Sequence, residues 1–275
     1  MKDGVPVALK NDHFQRVDGR DIEINQDYMG PFFAQATATA RAVRPDWLLF
    51  AEVDPFEMIA GHGFPEDAPD RTVNASHWYD LTAMVTKQFD ATGMTHVLSG
   101  VHREGTEAIE EGYVEEMTLI ASLSTVLNDG RGSPALLGEC GIQYDVNSAE
   151  AYRRWAAGER DPAIWEAQTT ALDLMYNAID RLLLSSTQWN YTVSNSNDPM
   201  IGDGWNQEDL SIWSADQVGN PHDIGSGGRA MEAFADPMSV SPKGLSSARG
   251  LTAQAAFSRL KSSSMRKSSS PARST

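Results

Sequence analysis

The sequence predicts an α/β fold, a partial (β/α)8 barrel of four strand-helix units followed by a disordered basic tail. Three observations carry this. Short apolar bursts alternate with segments of helical periodicity, the pattern of βαβ units around a parallel sheet. Polar side chains suited to chemistry stand at the C-terminal ends of those bursts without any glycine-rich phosphate loop, which favours a barrel over a doubly wound sheet. After Asp236 the composition collapses to Ser, Ala, Lys and Arg.

The elements follow in chain order. Residues 1–25 are polar and aperiodic and read as a loop, and residues 26–236 read as the folded domain. Pro31, suited to a first helical turn, opens a helix to Val43 with Phe32, Phe33, Ala36, Ala40 and Val43 near helical spacing. "WLLFAEV" (47–53) is a buried strand, and Asp54-Pro55 begins a loop. "RTVNASHWYD" (71–80) is a second strand, with Leu81, Met84, Val85 and Phe89 forming the helix behind it. After a polar stretch, Glu115 and Glu116 open a helix through Ile120, Leu123 and Leu127, closed by Asp129-Gly130. "PALLGEC" is the third strand, residues 162–184 form the clearest amphipathic helix, and "STQWNYT" (186–192) is the fourth strand. A whole barrel takes ~250 residues for eight such units. The length suits a barrel, but only four strands are legible.

Composition narrows the function. The net charge of −16 is uneven: beyond Asp236 the chain holds seven Lys and Arg and no acid, so its first 236 residues carry −23. An acidic body argues against a nucleic-acid surface, which needs a basic face, and fits a neutral substrate. One cysteine, Cys140, excludes an intramolecular disulfide, and the N-terminus lacks a secretory apolar core, so the chain reads as cytoplasmic. No apolar run approaches the ~20 residues of a membrane helix. No cofactor is implied. Residues 237–275 read as a disordered tail.

The candidate residues converge on one rim. Strand alternation puts Leu137 and Glu139 on one face and Gly138 and Cys140 on the other; likewise His77 pairs with Tyr79, and Trp189 with Tyr191. A carboxylate ending an apolar strand is costly unless paired, so Glu139 either caps the next loop or serves chemistry. Gly138 and Gly141 leave room for a substrate or another backbone to come close. His77 fits a group that orients a carboxylate, or a core histidine satisfied by a carbonyl. Trp189 offers a flat apolar face for a sugar ring, or core packing.

"HWYD", "LLGECG", "WNY" and "GDGWNQEDLSIWS", in that order, resemble the second half of glycoside hydrolase family 5, most closely its endoglycoceramidase-like and steryl-glucosidase-like branch. "VRPDWLLFAEVDPF" is similar to that branch's fifth strand and "GGRAMEAF" (227–234) to its chain after the eighth. The resemblance implies strands five to eight of a (β/α)8 TIM barrel of retaining β-glycosidases, acting on a glycolipid or β-glucoside. By it Glu139 is the nucleophile, Tyr79 hydrogen-bonds the nucleophile, and His77 completes the His-x-Tyr pair. Trp189 borders the sugar, with Trp205, Asn206 and Glu208 as further substrate contacts; Asp209, in the same loop, touches sugar or holds the loop.

Retaining hydrolysis uses two carboxyl groups ~5 to 5.5 Å apart, one attacking and one protonating the leaving oxygen. The family's acid/base Glu follows an Asn, and this chain contains no Asn-Glu dipeptide. Glu52 is the substitute at hand; otherwise the chain begins after the fourth strand, lacks the acid/base, and exposes open barrel edges to self-association. Two other readings stay open: a metal-dependent hydrolase using His62, His77, His96, His102, Asp54 and Glu57, and a non-catalytic sugar-binding protein that keeps Trp189 and Trp205.

Overall fold

A computed structural model describes residues 4–198, 200–204, 208–223 and 225–234. The tail at 237–275, Trp205 and Asn206 lie outside the described residues. The chain divides into two compact units: Met1–His77 with Thr118–Glu139 and Leu184–Thr187, and Trp78–Met117 with Cys140–Leu183 and the chain from Gln188 on.

In the first unit the opening segment is not plain loop. Strands β1 (Arg16–Val17) and β2 (Arg20–Asp21) form a small antiparallel hairpin, and a π-helical turn (Asn25–Met29) leads into helix α1 (Gly30–Val43). Arg20 grips Asp27 at 2.6 Å. That guanidinium, with the Glu23 N–H, holds the Asp27 carboxyl at about 2. α1 buries Phe33 and Thr37, whereas Phe32 and Val43 of the predicted face are exposed.

Strand β3 (Leu49–Ala51) is shorter than its apolar burst, and Asp54 then accepts from the Phe56 and Glu57 N–H groups to cap a short helix α2 (Pro55–Ile59) where a loop was expected. β3 pairs in parallel with β4 (Thr72–Asn74), Leu49 opposite Thr72. Phe33, Ala51, Val53, Phe64 and Leu127 form the unit's apolar core.

The expected strand over 71–80 is two: β4, then β5 (Trp78–Tyr79), with residues 75–77 between them outside regular pairing. Burial nevertheless alternates without a slip from Thr72 to Asp80, so His77 and Tyr79 do share the less buried register. β8 (Leu136–Gly141) is the third predicted strand, one β-bridge joins Asn74 to Ala135 in parallel, and Gly138 N–H donates to the Ser76 carbonyl at 3.3 Å.

In the second unit β5 runs parallel to the end of β8, Trp78 opposite Cys140 and Tyr79 opposite Gly141; strand β9 is Ser185–Gln188. Helix α3 (Leu81–Thr86) is capped by Asp80, which accepts from the Ala83 N–H at 2.9 Å. The polar stretch holds an unpredicted antiparallel hairpin, β6 (Gly93–Thr95) and β7 (His102–Glu104). Helix α4 (Gly105–Ser122) starts ten residues before Glu115.

α5 (Val146–Ala156) was not read from the sequence; it opens through a left-handed turn at Asn147, Ser148 and Ala149, a conformation asparagine tolerates better than the other two. The long helix is a 3-10 turn (Pro162–Trp165) and then α6 (Glu166–Arg181), which buries Ala171, Met175, Ala178 and Ile179; Leu183, inside the expected helix, lies beyond its end and is exposed. No helix among the described residues is long and apolar enough to cross a membrane.

Candidate active site

The first unit brings three of the predicted residues together. Their support is a buried polar hub that the sequence reading missed. Asn74 is wholly buried; its amide donates to the Ile120 carbonyl at 2.8 Å and to Ser124 Oγ at 3.1 Å, anchoring β4 on the end of α4. Its Oδ1 accepts from both the N–H (3.0 Å) and the hydroxyl (2.8 Å) of Ser76. Ser76 Oγ in turn accepts from the Val53 N–H at 3.1 Å, and its carbonyl takes the Gly138 N–H.

One serine therefore fixes the backbone beside Glu52, beside His77 and beside Glu139. The only sequence signal was two small polar residues inside an apolar strand, which pattern alone does not distinguish from a solvent-facing pair.

On this frame His77 Nε2 lies 3.0 Å from Glu52 Oε2, and His77 Nδ1 lies 3.8 Å from Glu139 Oε1. The side chains of His77, Glu52 and Glu139 are 33%, 49% and 28% exposed, so solvent reaches all three. The imidazole faces a carboxylate from each of its two nitrogens. When protonated it is a cation between two anions; when neutral it donates to one of them. Glu52 is thus a partner of His77.

Gly138 is explained by backbone and not by substrate. A Cβ there would strike the Ala75 carbonyl, and one on Gly141 would strike that of Trp189. Leu137 and Cys140 are fully buried on either face of β8.

In the second unit Tyr79 ends β5. Trp189 and Tyr191 fall beyond the end of β9, so strand alternation does not relate them, and Tyr191 is exposed. Trp189 N–H donates to the Cys140 carbonyl at 2.7 Å. Burial raises the Glu208 carboxyl above its usual range, with Asp145 and Asp203 adding to the effect and Lys87 opposing it. Asp209 holds the loop: it is unexposed and takes two hydrogen bonds from Arg229 at 2.6 and 2.7 Å. The Arg229 guanidinium stacks 4.1 Å from the Tyr144 ring.

The histidines of the metal reading are dispersed. His62 pairs with Glu57 at 2.7 Å, His102 Nδ1 meets Thr95 Oγ1 at 2.9 Å, and His96 faces Glu116 at 3.4 Å. Asp54 is spent on its helix cap. Among the described residues no group of three or more metal-ligating side chains is assembled.

The chain is 28% identical over 225 residues to a glucosylceramidase of Cryptococcus neoformans var. grubii, covering 76% of this chain and 28% of that protein. It is 27% identical over 266 residues to a glucosylceramidase of Rhizopus delemar (88% and 37%) and 28% identical over 230 residues to an ergosteryl-beta-glucosidase of Saccharomyces cerevisiae (79% and 28%).

A crystal structure of Cryptococcus neoformans sterylglucosidase 1 with tris superposes with a TM-score of 0.69 at 26% identity, covering 83% of this chain and 33% of that one. The similarity is to glycosidases of the glucosylceramidase and steryl-glucosidase branch. No family model matches the sequence. The chain spans between 28% and 37% of the length of these curated relatives.

Proposed function

We propose that this chain carries the nucleophile side of a retaining β-glycosidase of glycoside hydrolase family 5, acting on the β-glucoside of a glycolipid or sterol. The relatives' names support the substrate class, and the order of the resembling motifs supports strands five to eight of a TIM barrel. The observation that carries the chemistry is the Glu52–His77–Glu139 array on its Ser76 hub.

In this reading Glu139 attacks the anomeric carbon, forming a glycosyl ester as the bond to the leaving oxygen breaks with its electron pair. His77 sets the position and charge surroundings of Glu139, and Glu52 holds His77 in turn. Tyr79 is the second partner that the family resemblance gives the nucleophile. Trp189, Trp205, Asn206 and Glu208 are its sugar contacts.

The test uses a 2-deoxy-2-fluoroglucoside with a dinitrophenolate leaving group, which departs without acid assistance and leaves a slowly hydrolysed ester. Mass spectrometry is expected to find one fluoroglucosyl group on the peptide containing Glu139, and none in Glu139→Gln. Label elsewhere, or equal labelling of the variant, overturns the reading.

A further inference from the structure

In the second unit the chain after β9 leaves and returns to one point. Asn190 Nδ2 donates to Asp203 Oδ2 at 2.7 Å, which closes the residues between them into a loop of the Ω kind. The burial of this loop is inverted. Tyr191, Val193, Met200 and Ile201 are 62%, 69%, 68% and 59% exposed, whereas the polar Asn195 between them is 1% exposed. One exposed apolar side chain is ordinary on a protein surface; four on one short loop mark a place where something docks.

The backbone holds these side chains outward. Asn195 N–H donates to the Thr192 carbonyl and its side-chain amide to the Trp213 carbonyl, each at 3.0 Å, while its own carbonyl accepts from the Ala215 N–H at 2.8 Å. Asp198 Oδ1 accepts from the Met200 N–H at 2.9 Å, and the Asp198 carbonyl accepts from the Ile201 N–H at 3.1 Å. At the root of the loop, Thr192 N–H donates to Ser211 Oγ at 3.0 Å, and the Tyr191 ring lies 5.8 Å from that of Trp213. The buried asparagine therefore ties the loop to the chain beneath it, and the apolar side chains are left facing water.

Charge selects the occupant. Between Arg181 and Arg229 the chain has six acidic residues and no Lys or Arg. An anionic membrane recruits proteins through Lys and Arg, which this stretch lacks. Apolar side chains in an acidic surround suit neutral headgroups, between which they insert by hydrophobic burial alone. Trp189 and Glu208, sugar contacts in the proposed function, stand on either side of the loop in the chain, and a glycolipid presents its sugar at such a surface.

We propose that the 190–203 loop docks on a neutral lipid surface, with Met200 and Ile201 as the inserting pair. The choice of lipid as occupant rests on the glycosidase reading, but the binding itself needs no turnover.

Co-sedimentation of the whole chain with phosphatidylcholine vesicles at physiological salt tests it. Neutral vesicles keep the seven Lys and Arg beyond Asp236 from supplying the binding. The wild type is expected to sediment with the vesicles, and the double variant Met200→Ser with Ile201→Ser to need at least about tenfold more lipid for half-binding. Both side chains are exposed, so the double variant is expected to melt with the wild type. Val193→Ser, a separate change on the same loop, is expected to weaken binding in the same direction.

Label on Glu139 without vesicle binding overturns the docking alone, and vesicle binding without label overturns the glycosidase reading alone. A wild type that stays in the supernatant, or a double variant with unchanged lipid dependence, sinks the proposal. Self-association that the double variant loses, with no vesicle binding by the wild type, gives the loop to a second copy of the chain instead.

Discussion

The hydroxyl of Ser76 donates to Asn74 Oδ1 at 2.8 Å, and both residues are buried. Because the same hydroxyl accepts from the Val53 N–H, Ser76→Ala leaves a buried backbone donor without its partner. The expected cost is ~1 to 3 kcal/mol of unfolding free energy, read from urea denaturation. If the proposed function holds, labelling of Glu139 slows as well, since the hub backs both carboxylates. An unchanged denaturation midpoint would remove Ser76 from its supporting role.

Arg229 and Asp209 form an ion pair with no exposure on either side. Breaking it from one side strands a charge: Arg229→Met or Asp209→Leu alone is expected to cost ~3 to 5 kcal/mol, and the two together less than the sum of the singles. Thermal and urea unfolding of the three variants measures this.

What was legible followed the strength of the period. α6 buries most of what its pattern predicted, since it has one apolar face and a long enough run to show it, and β8 stood out as a short apolar run buried on both faces. The β4–β5 break was invisible because burial keeps alternating through residues 75–77, so period 2 survives where pairing does not. The hairpin of β6 and β7 carries Thr, His, Arg and Glu on half-exposed strands, which leaves no apolar alternation to find.

α4 was found late because Gly105 and Gly112 weaken its first half. Gly112 is there for packing: a Cβ would run into the Arg103 guanidinium. Its buried stripe of Ile109, Tyr113, Met117 and Ile120 is helical in spacing. Within the site, Glu139, His77 and Glu52 were legible as polar side chains ending apolar strands. The array they form was not, because two of its contacts join residues far apart in the chain.

The pH dependence of stability carries the mark of Glu116. Its folded carboxyl titrates at about 7 against an ordinary 4.5, so between those values the folded chain keeps a proton that the unfolded chain has released. Stability contributed by this group is present at low pH, falls as pH rises through that window, and is flat above it. Glu116→Gln is expected to remove the fall, so that the variant gains on the wild type between pH 5 and pH 8. Denaturation curves at the two values decide it, and a parallel pH trend in both proteins would count against the raised carboxyl.

Glu52 can act in two ways that kinetics separate. If the proposed function holds, Glu52 as the partner of His77 helps place the imidazole that faces Glu139, so Glu52→Gln should slow formation of the glycosyl ester by about tenfold, a barrier change of ~1.4 kcal/mol, whatever the leaving group. As an acid/base it would donate the proton that a poor leaving group needs and an activated one does not. Its loss would then cost ~10² to 10⁴-fold with an alkyl or sterol glucoside and leave the dinitrophenyl rate untouched. The geometry favours the first outcome, because Glu52 meets the nitrogen of His77 opposite the one nearer Glu139. Equal slowing across leaving groups of rising pKa makes Glu52 a positioning residue. A loss that steepens with leaving-group pKa makes it the acid.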